Sequence, residues 1–421
     1  MKSKLHEEDE TMGSCSDTRG GLDSHRSSRA TGGLPAGAQA GRARSRCGTR
    51  GSRRGTDAGT VAREASHRSR AAGRVAGALA VLLAAAPAVA DLDDNRPDPV
   101  DAATDRALSW LAGQQHPDGT WASGYGHNCA VTSVAIMAFL AKGHVPGRGP
   151  YGAVVDRGLD AVLAAQKDNG LITTGKTSGA MYDHGISTLM LAEAVGMTAG
   201  QREQKIRDAL GKAVKLIIDA QKLKRPNHPH FGGWRYQHTS RDSDISVTGW
   251  CVMALKAAKN AGAEVPVEVI DHAIGFIKRC SHRAGGFGYQ PGGGPNQART
   301  GTGILVLQIA GYHQLRKTGR DYHKEALAGG DWLLKHPLNT FNGSHFYYAV
   351  YYTAQAMFQL GDKYHEAFFP ALSKLLLAHQ QPDGSWPLES GSARAAGPVY
   401  STGMTVLALS VKYRFLPIYQ R

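Results

Sequence analysis

A sixfold internal repeat constrains the fold of this 421-residue chain more than any other feature. Each unit has a helix ending in Gln or a similar polar residue, a Gly-rich turn with an aromatic residue, and a second, more apolar helix. The first segments of the units lie at 107–121, 158–172, 213–234, 273–289, 329–348 and 371–386. A repeat of about 40 to 60 residues indicates supersecondary units that stack on one another.

The apolar residues within the repeats recur at helical spacing. Val131, Val134, Ala135, Ala138 and Phe139 are one such series, and no comparable run alternates with the period of two that strands require. The second helix of each unit is apolar nearly all round, so we expect it to be buried on both faces. The first helix carries charges on one side. The repeats therefore predict an all-α (α/α)6 toroid, a double ring of about twelve helices.

Four segments carry a resemblance to a known family. QQHPDGTW (114–121) and HQQPDGSW (379–386) are similar to the QW repeat of squalene–hopene cyclases, and GGW (232–234) and GGFGY (285–289) are degenerate copies of it. The resemblance covers about residues 100–415. It implies the toroid that terpenoid cyclases share with protein prenyltransferase β subunits and complement-type thioester domains. Since one fold hosts many functions, the resemblance is far more specific for fold than for chemistry.

The N-terminal part is expected to lie outside this toroid. Residues 1–60 are rich in Gly, Arg and Ser, and we interpret them as disordered or as a misassigned start. Residues 61–90 have the charged, apolar and small-residue parts of a secretory signal peptide. We therefore expect an exported protein, periplasmic or extracellular, with the toroid in residues 91–421.

The charge of the remaining chain is mild. Residues 91–421 hold 34 basic and 27 acidic residues, a net charge of +7, without a basic stripe interleaved with aromatic residues. We therefore expect no nucleic-acid partner. Such a surface suits an anionic substrate or a membrane face, so peripheral membrane contact is among the partners that the sequence allows.

The cysteine pattern argues against several rival sites. Residues 91–421 contain an odd number of cysteines, all in apolar contexts: Cys129, Cys251 and Cys280. No CxxC pair occurs. The Asp-x-Cys zinc pair of the prenyltransferases and the Cys-Gly-Glu-Gln of thioester domains are both absent. We expect neither a metal nor a cofactor.

The inner helices of such a ring begin at one common mouth, which gives a set of candidate ligand-binding residues. Aromatic faces stabilise positive charge, so a ring rich in Tyr and Trp suits an isoprenoid or another apolar small molecule in a central cavity. The alternative is that these side chains only fill the ring and cap its helices. The candidates are Tyr182, His184, Trp234, Arg299, Tyr347, Tyr348, Tyr351 and Tyr400.

Two carboxylates at the head of the third inner helix are the candidate catalytic residues. Asp242-Ser243-Asp244-Ile245 resembles the Asp-x-Asp-Asp motif of proton-initiated cyclases in its first three positions. The resemblance implies that Asp244 is the proton donor and Asp242 its partner, but Ile245 replaces the third carboxylate. Burial and a neighbouring carboxylate raise a carboxyl pKa, whereas a helix N-terminus favours the ionised form. Capping, as at Asp183, Thr300 and Ser401, or pairing with Arg241 is the competing interpretation.

Two functional classes therefore stay open. One is a terpenoid-cyclase-like enzyme that starts a cyclisation by protonation. The other is a non-catalytic lipid- or protein-binding scaffold on the same fold. The Asp242/Asp244 pair and the tyrosines favour the enzyme, and the missing third carboxylate favours the scaffold.

The signal interpretation predicts a mature N-terminus at Asp91, directly after the small-residue site Ala88-Val89-Ala90. N-terminal sequencing of the native protein checks it. Native protein with residues 1–60 still attached would contradict it.

Overall fold

The structure, a computed structural model, describes residues 98–124, 126–175, 179–318, 323–341, 343, 345–388 and 390–420. The segments interpreted as a disordered start (1–60) and a signal peptide (61–90) lie outside these residues. Among the described residues, no helix combines the length and the apolarity needed to cross a membrane.

Twelve α-helices in the described part of the chain make up the fold. In chain order they are α1 (Pro99–Gly113), α2 (Cys129–Ala141), α3 (Gly152–Ala164), α4 (Ala180–Ala194), α5 (Gly200–Gln221), α6 (Ile245–Asn260), α7 (Val267–Arg279), α8 (Gln297–Thr318), α9 (His323–Lys335), α10 (Phe346–Leu360), α11 (Asp362–Leu377) and α12 (Gly397–Leu409).

The even-numbered helices form a closed inner ring. Each packs against the next, from α2 through α4, α6, α8 and α10 to α12, and α12 packs back against α2. Twelve of the thirteen residues of α2 are buried, as expected for a helix with apolar residues on all sides. The outer helices α1, α5, α7 and α9 each pack against two inner helices. The predicted all-α double ring is confirmed.

The Gln of the repeat joins adjacent outer helices. In four repeats its Nε2 donates to the Gly carbonyl of its own turn and to a carbonyl of the next outer helix. The Nε2 of Gln221 lies 2.8 Å from Gly232 O and 2.9 Å from Val269 O on α7. Gln380 of the last repeat reaches Ala103 O of α1 at 2.8 Å, which closes the outer ring. Gln115 and Gln166 form the same pair of bonds.

The turn aromatic is anchored to the outer helix of its own repeat. The indole N–H groups of Trp121, Trp234 and Trp386 donate to the carbonyls of Leu111, Ile217 and Leu376, each at 2.8 Å. The turn glycines leave no room for a side chain. At Gly232, with φ at 91°, a Cβ atom would lie 2.1 Å from the carbonyl oxygen of His272.

A hydroxyl on the inner helix fixes the same turn from the other side. The backbone N–H of Trp234 donates to Thr248 Oγ1 at 3.0 Å, and the small residue that follows, Gly249, allows close helix packing. A Cβ atom there would lie 2.4 Å from Thr302 Cγ2. The equivalent hydroxyls in three other repeats are those of Thr132, Thr300 and Thr402.

The described residues contain little strand structure. A two-stranded antiparallel ribbon, β1 (Ala122–Ser123) with β2 (Gly126–His127), follows the first turn. The sequence predicted no strand here, because two residues per strand are too few to produce an alternating pattern.

The C-terminal segment packs into the ring at the end opposite to the helix N-termini. Ile418 N donates to both carboxyl oxygens of Glu193 near the end of α4, at 3.2 and 3.3 Å. Gln359 near the end of α10 donates to the Tyr419 carbonyl at 3.2 Å. Since Ile418 and Tyr419 are each 4% exposed, this segment closes that end of the ring.

Loss of one Gln bridge should destabilise the whole domain. Gln221→Ala leaves the carbonyls of Gly232 and Val269 without their side-chain donor, so we expect a loss of about 2–4 kcal/mol in the free energy of unfolding. Urea denaturation followed by circular dichroism measures it. Gln204→Ala, an exposed change on the same helix, is the matched control and should cost less than about 0.5 kcal/mol. Equal losses for the two variants would contradict the bridging role.

Candidate active site at the mouth of the ring

Asp244 is the N-cap of α6 and divides its two oxygens between two environments. Oδ1 accepts the backbone N–H groups of Ser246 and Val247, both at 2.9 Å. Oδ2 has no hydrogen-bond partner among the described residues, although the side chain is completely buried. One oxygen therefore stabilises the helix, and the other has no hydrogen bond that fixes it in a structural role.

The pKa of Asp244 is raised to about 6. Burial is the main cause, because it penalises the charged form. The hydrogen bond from Val247 and the charge of Arg235 oppose this rise. The carboxyl group can therefore be protonated in mildly acidic solution, as a proton donor requires.

Arg235 is the cation beside the two carboxylates. Its Nε lies 3.4 Å from Asp242 Oδ2 and 3.8 Å from Asp244 Oδ2. Its guanidinium also lies over the rings of Tyr236 and Tyr289, at 4.6 and 5.3 Å from their centres. Arg241, the partner that the sequence suggested, is exposed and forms no ion pair with either carboxylate in the described part of the chain, because Arg235 takes that position.

Tyrosine rings form the wall of the mouth around these charges. The rings of Tyr182 and Tyr236 lie 6.0 Å apart, and the hydroxyls of Tyr236 and Tyr289 are hydrogen-bonded. Arg299, in the first turn of α8, lies over Tyr289 at 5.1 Å from the ring centre. All four residues are partly exposed, so the wall is open to solvent.

Aromatic side chains fill the ring below the mouth. Trp250 of α6 stacks on Tyr351 of α10 with ring centres 5.4 Å apart and planes at 8°, although α8 separates these helices in the ring. Tyr348 contacts Trp250 edge-on at 6.5 Å, and burial raises the pKa of its hydroxyl to about 12. The residues predicted to line a central cavity thus pack on one another here, and the partly exposed surface lies above them.

Three predicted ligand-binding residues are structural. The Nδ1 atom of His184 accepts the Ile172 N–H at 3.0 Å and its Nε2 donates to Ala213 O at 3.1 Å. It takes the place of the Thr hydroxyl in the second repeat. Burial lowers its pKa to about 4, so it is neutral.

The other two structural residues are also buried. Trp234 uses its indole N–H to anchor its turn, and Tyr347 donates its hydroxyl to Pro387 O at 2.7 Å. Their exposed fractions are 1% and 0%. His184, Trp234 and Tyr347 were predicted to contact a ligand, but the structure places each of them in a buried position with its polar atoms bonded to backbone groups.

The remaining predicted ligand-binding residues differ in how deeply they are buried and in where they lie around the ring. Tyr351 is 1% exposed and its hydroxyl is bonded to that of Tyr419, so it belongs to the filled interior. Tyr400 lies in the first turn of α12, across the ring from α6, and is partly exposed. Of the predicted binding residues, Tyr182 and Tyr348 lie near Asp244, and Arg299 belongs to the same wall through its contact with the Tyr289 ring.

The recurrent capping role is wrong for three predicted residues. Asp183 and Thr300 are the fourth residues of α4 and α8, and Ser401 is the fifth residue of α12, so none of them is at a cap position. Thr300 instead accepts the N–H of its turn aromatic. Asp244 does cap its helix through Oδ1. Its unpaired Oδ2 is not needed for that structural role.

The sequence reasoning missed Arg235, Tyr236 and Tyr289. Tyr236 and Tyr289 each stand two residues after the turn aromatic of their repeats, and their carbonyls accept the N–H groups of Met181 and Ile245. Alignment of the repeats on that aromatic would have placed both tyrosines at the start of the preceding inner helix. Among the described residues, no group of three or more His, Cys, Asp or Glu has the arrangement of a metal site.

Comparison with known proteins supports the fold. Residues 229–401 match the sequence model of the prenyltransferase alpha-alpha toroid domain, in agreement with the resemblance of the repeats. No protein of curated function matches the sequence.

Two solved structures show the same fold. The type II terpene cyclase MstE from Scytonema is 14% identical, with 76% of this chain and 100% of that chain covered and a TM-score of 0.50. A possible member of the GH105 family from Salmonella enterica is 12% identical, with 75% and 94% covered and a TM-score of 0.50. Proteins of such different description share this architecture, so the chemistry must be argued from the site.

The raised pKa of Asp244 predicts a pH-dependent stability. Its contribution is fully present below the unfolded pKa of 3.8 and is lost as the pH rises through about 6. Asp244→Asn removes this loss and keeps the cap. The free energy of unfolding of the variant, relative to that of the parent, should rise by about 2 kcal/mol between pH 4 and pH 8. Urea denaturation at each pH measures it.

Asp244→Ala is the comparison variant for this measurement. It also removes the titration but loses the cap, so it should be less stable than the Asn variant by about 0.5–2 kcal/mol at both pH values. A stability difference between the Asn variant and the parent that does not change with pH would contradict the raised pKa.

Proposed function

We propose that this protein is an exported, terpenoid-cyclase-like toroid that binds an isoprenoid or similar apolar lipid at the mouth of the ring. Asp244 is the proton donor of an acid-initiated reaction. The observation that supports this most is the unpaired, buried Oδ2 of Asp244 beside partly exposed tyrosine rings.

The proposed step is proton addition to an alkene. The proton on Oδ2 transfers to one alkene carbon, the π electrons form the new C–H bond, and the other carbon becomes a cation. The rings of Tyr182 and Tyr348 present electron-rich faces and are held in position by the surrounding helices. Such faces stabilise a cation that forms nearby. Attack by a second alkene of the same molecule closes a ring, and a final deprotonation restores the proton.

A non-catalytic lipid- or protein-binding scaffold is the second candidate. Ile245, completely buried, occupies the third position of the Asp-x-Asp-Asp motif, and Asp244 Oδ1 is engaged as a cap. The site therefore has one carboxylate fewer than the motif it resembles, which favours binding without turnover.

Asp244→Asn separates the two candidates. The variant keeps the cap but has no acidic proton, so product formation from squalene or polyprenyl diphosphates should fall at least a hundredfold while lipid affinity stays unchanged. Product analysis by mass spectrometry and a binding titration measure the two effects. In the parent protein, turnover should rise as the pH falls through about 6.

The control is Asp168→Asn, an exposed change of the same type in a loop of the second repeat. It should leave turnover unchanged. An active Asp244→Asn variant would exclude Asp244 as the donor. Lipid binding without any product in the parent protein would support the scaffold instead.

A further inference from the structure

Arg235 is held beside two carboxylates without a close ion pair to either. The distances from Nε, 3.4 Å to Asp242 and 3.8 Å to Asp244, exceed the 2.7–2.9 Å or so of a charge-assisted hydrogen bond. Its Nη1 is buried and has no hydrogen-bond partner among the described residues. The side chain as a whole is 21% exposed, so its other atoms face the mouth and a small side-chain movement would bring Nη1 to a ligand there.

A donor and an acceptor are thus unpaired at the same place. Nη1 of Arg235 and Oδ2 of Asp244 are both buried and unbonded, and a buried polar group without a partner is unfavourable. Since direct pairing would remove this penalty, the arrangement indicates that a further group completes the site. A group with two oxygens would satisfy the guanidinium donors.

Arg299 provides a second positive charge. It lies over the same Tyr289 ring as Arg235 does, and no described carboxylate lies within ion-pair distance of it. Tyr289 therefore contacts two guanidinium groups, of which one is close to Asp242 and Asp244 and the other is not. An acidic group near this ring is attracted by both.

We propose that the ligand carries an acidic head group, a carboxylate or a phosphate, that binds Arg235 and draws its charge away from Asp244. This inference rests on the proposed function, since it concerns the ligand of the same mouth. Arg235 is then a positioning residue, and the ligand itself prepares the acid that acts on it.

The coupling follows from the charges around Asp244. Arg235 and Asp242 carry the charges that shift its pKa. Lys224 interacts with Asp242, and the His230 ring contacts the backbone of Ser243. Burial raises the pKa values of three tyrosines and two thiols nearby, so these stay neutral between pH 5 and pH 8: Tyr182, Tyr289, Tyr348, Cys251 and Cys280. An anion on Arg235 cancels the positive charge beside Asp244, so ligand binding and proton uptake must accompany each other.

Three ligands with one hydrocarbon chain test this: oleate, oleyl phosphate and oleyl alcohol. Calorimetric titrations at about pH 6.5, in PIPES and in imidazole buffer, give affinity and proton uptake together. We expect the two acids to bind at least tenfold more tightly than the alcohol, with net proton uptake that the alcohol does not show. The acid with the higher affinity identifies the head-group chemistry.

Arg235→Gln should reduce the affinity for the acids at least tenfold and leave that for the alcohol unchanged. Arg241→Gln, an exposed change in the same loop, is the matched control and should alter neither. Asp244→Asn should keep acid binding and abolish proton uptake, which a merely structural role would not do. If Arg235→Gln fails to fold, as judged by circular dichroism, Arg299→Gln replaces it with the same expectation.

Equal affinity of the alcohol and the acids, or acid binding without proton uptake, would overturn this inference alone. Acid binding with proton uptake but with full turnover in Asp244→Asn would overturn the proposed catalysis alone. Folded parent protein that binds none of the three ligands would overturn both.

Discussion

The architecture depends on the amide group of the repeat Gln. In four of the six repeats this Nε2 holds the turn of its own repeat and the outer helix of the next one. An amide that donates to two carbonyls fixes both the distance and the rotation between neighbouring repeats. The inner helices then meet through small residues such as Gly249, and the narrow inner ring that results is filled by large aromatic rings, Trp250 and Tyr351 among them.

The fold could be predicted from the sequence because its determinants are local and repeated. The Gln, the turn glycine and the aromatic residue recur at nearly fixed spacing, and each contact is made within a repeat or to its neighbour. The site could be predicted only in part, because its members come from different repeats and occur once. Nothing in the local sequence distinguishes Arg235, which lies near Asp242 across its loop, from the exposed Arg241. His184 was a candidate binding residue, but its ring accepts the backbone N–H that a Thr hydroxyl accepts in other repeats.

Asp244 shows how one residue can cap a helix and still keep a carboxyl group that titrates near pH 6. A capping carboxylate needs only one oxygen for the helix N–H groups, and burial of the second oxygen provides the raised pKa. The capping bonds and the neighbouring Arg235 limit that rise, so the group titrates within the physiological range instead of staying protonated throughout. The balance depends on a cation that is near but not tightly bound. The protonation of Asp244 is therefore sensitive to any group that competes for Arg235.

The closure of the ring has a consequence for cooperativity. In an open solenoid, stability is nearly a sum over neighbouring repeats, and the terminal repeats need polar caps. Here α12 packs on α2, and Gln380 bonds to α1, so the last repeat covers the surface that the first would otherwise expose. Every inner helix has two inner neighbours, and none is terminal. Loss of a single repeat therefore exposes two apolar faces at once, and the toroid should unfold as one unit instead of fraying from its ends.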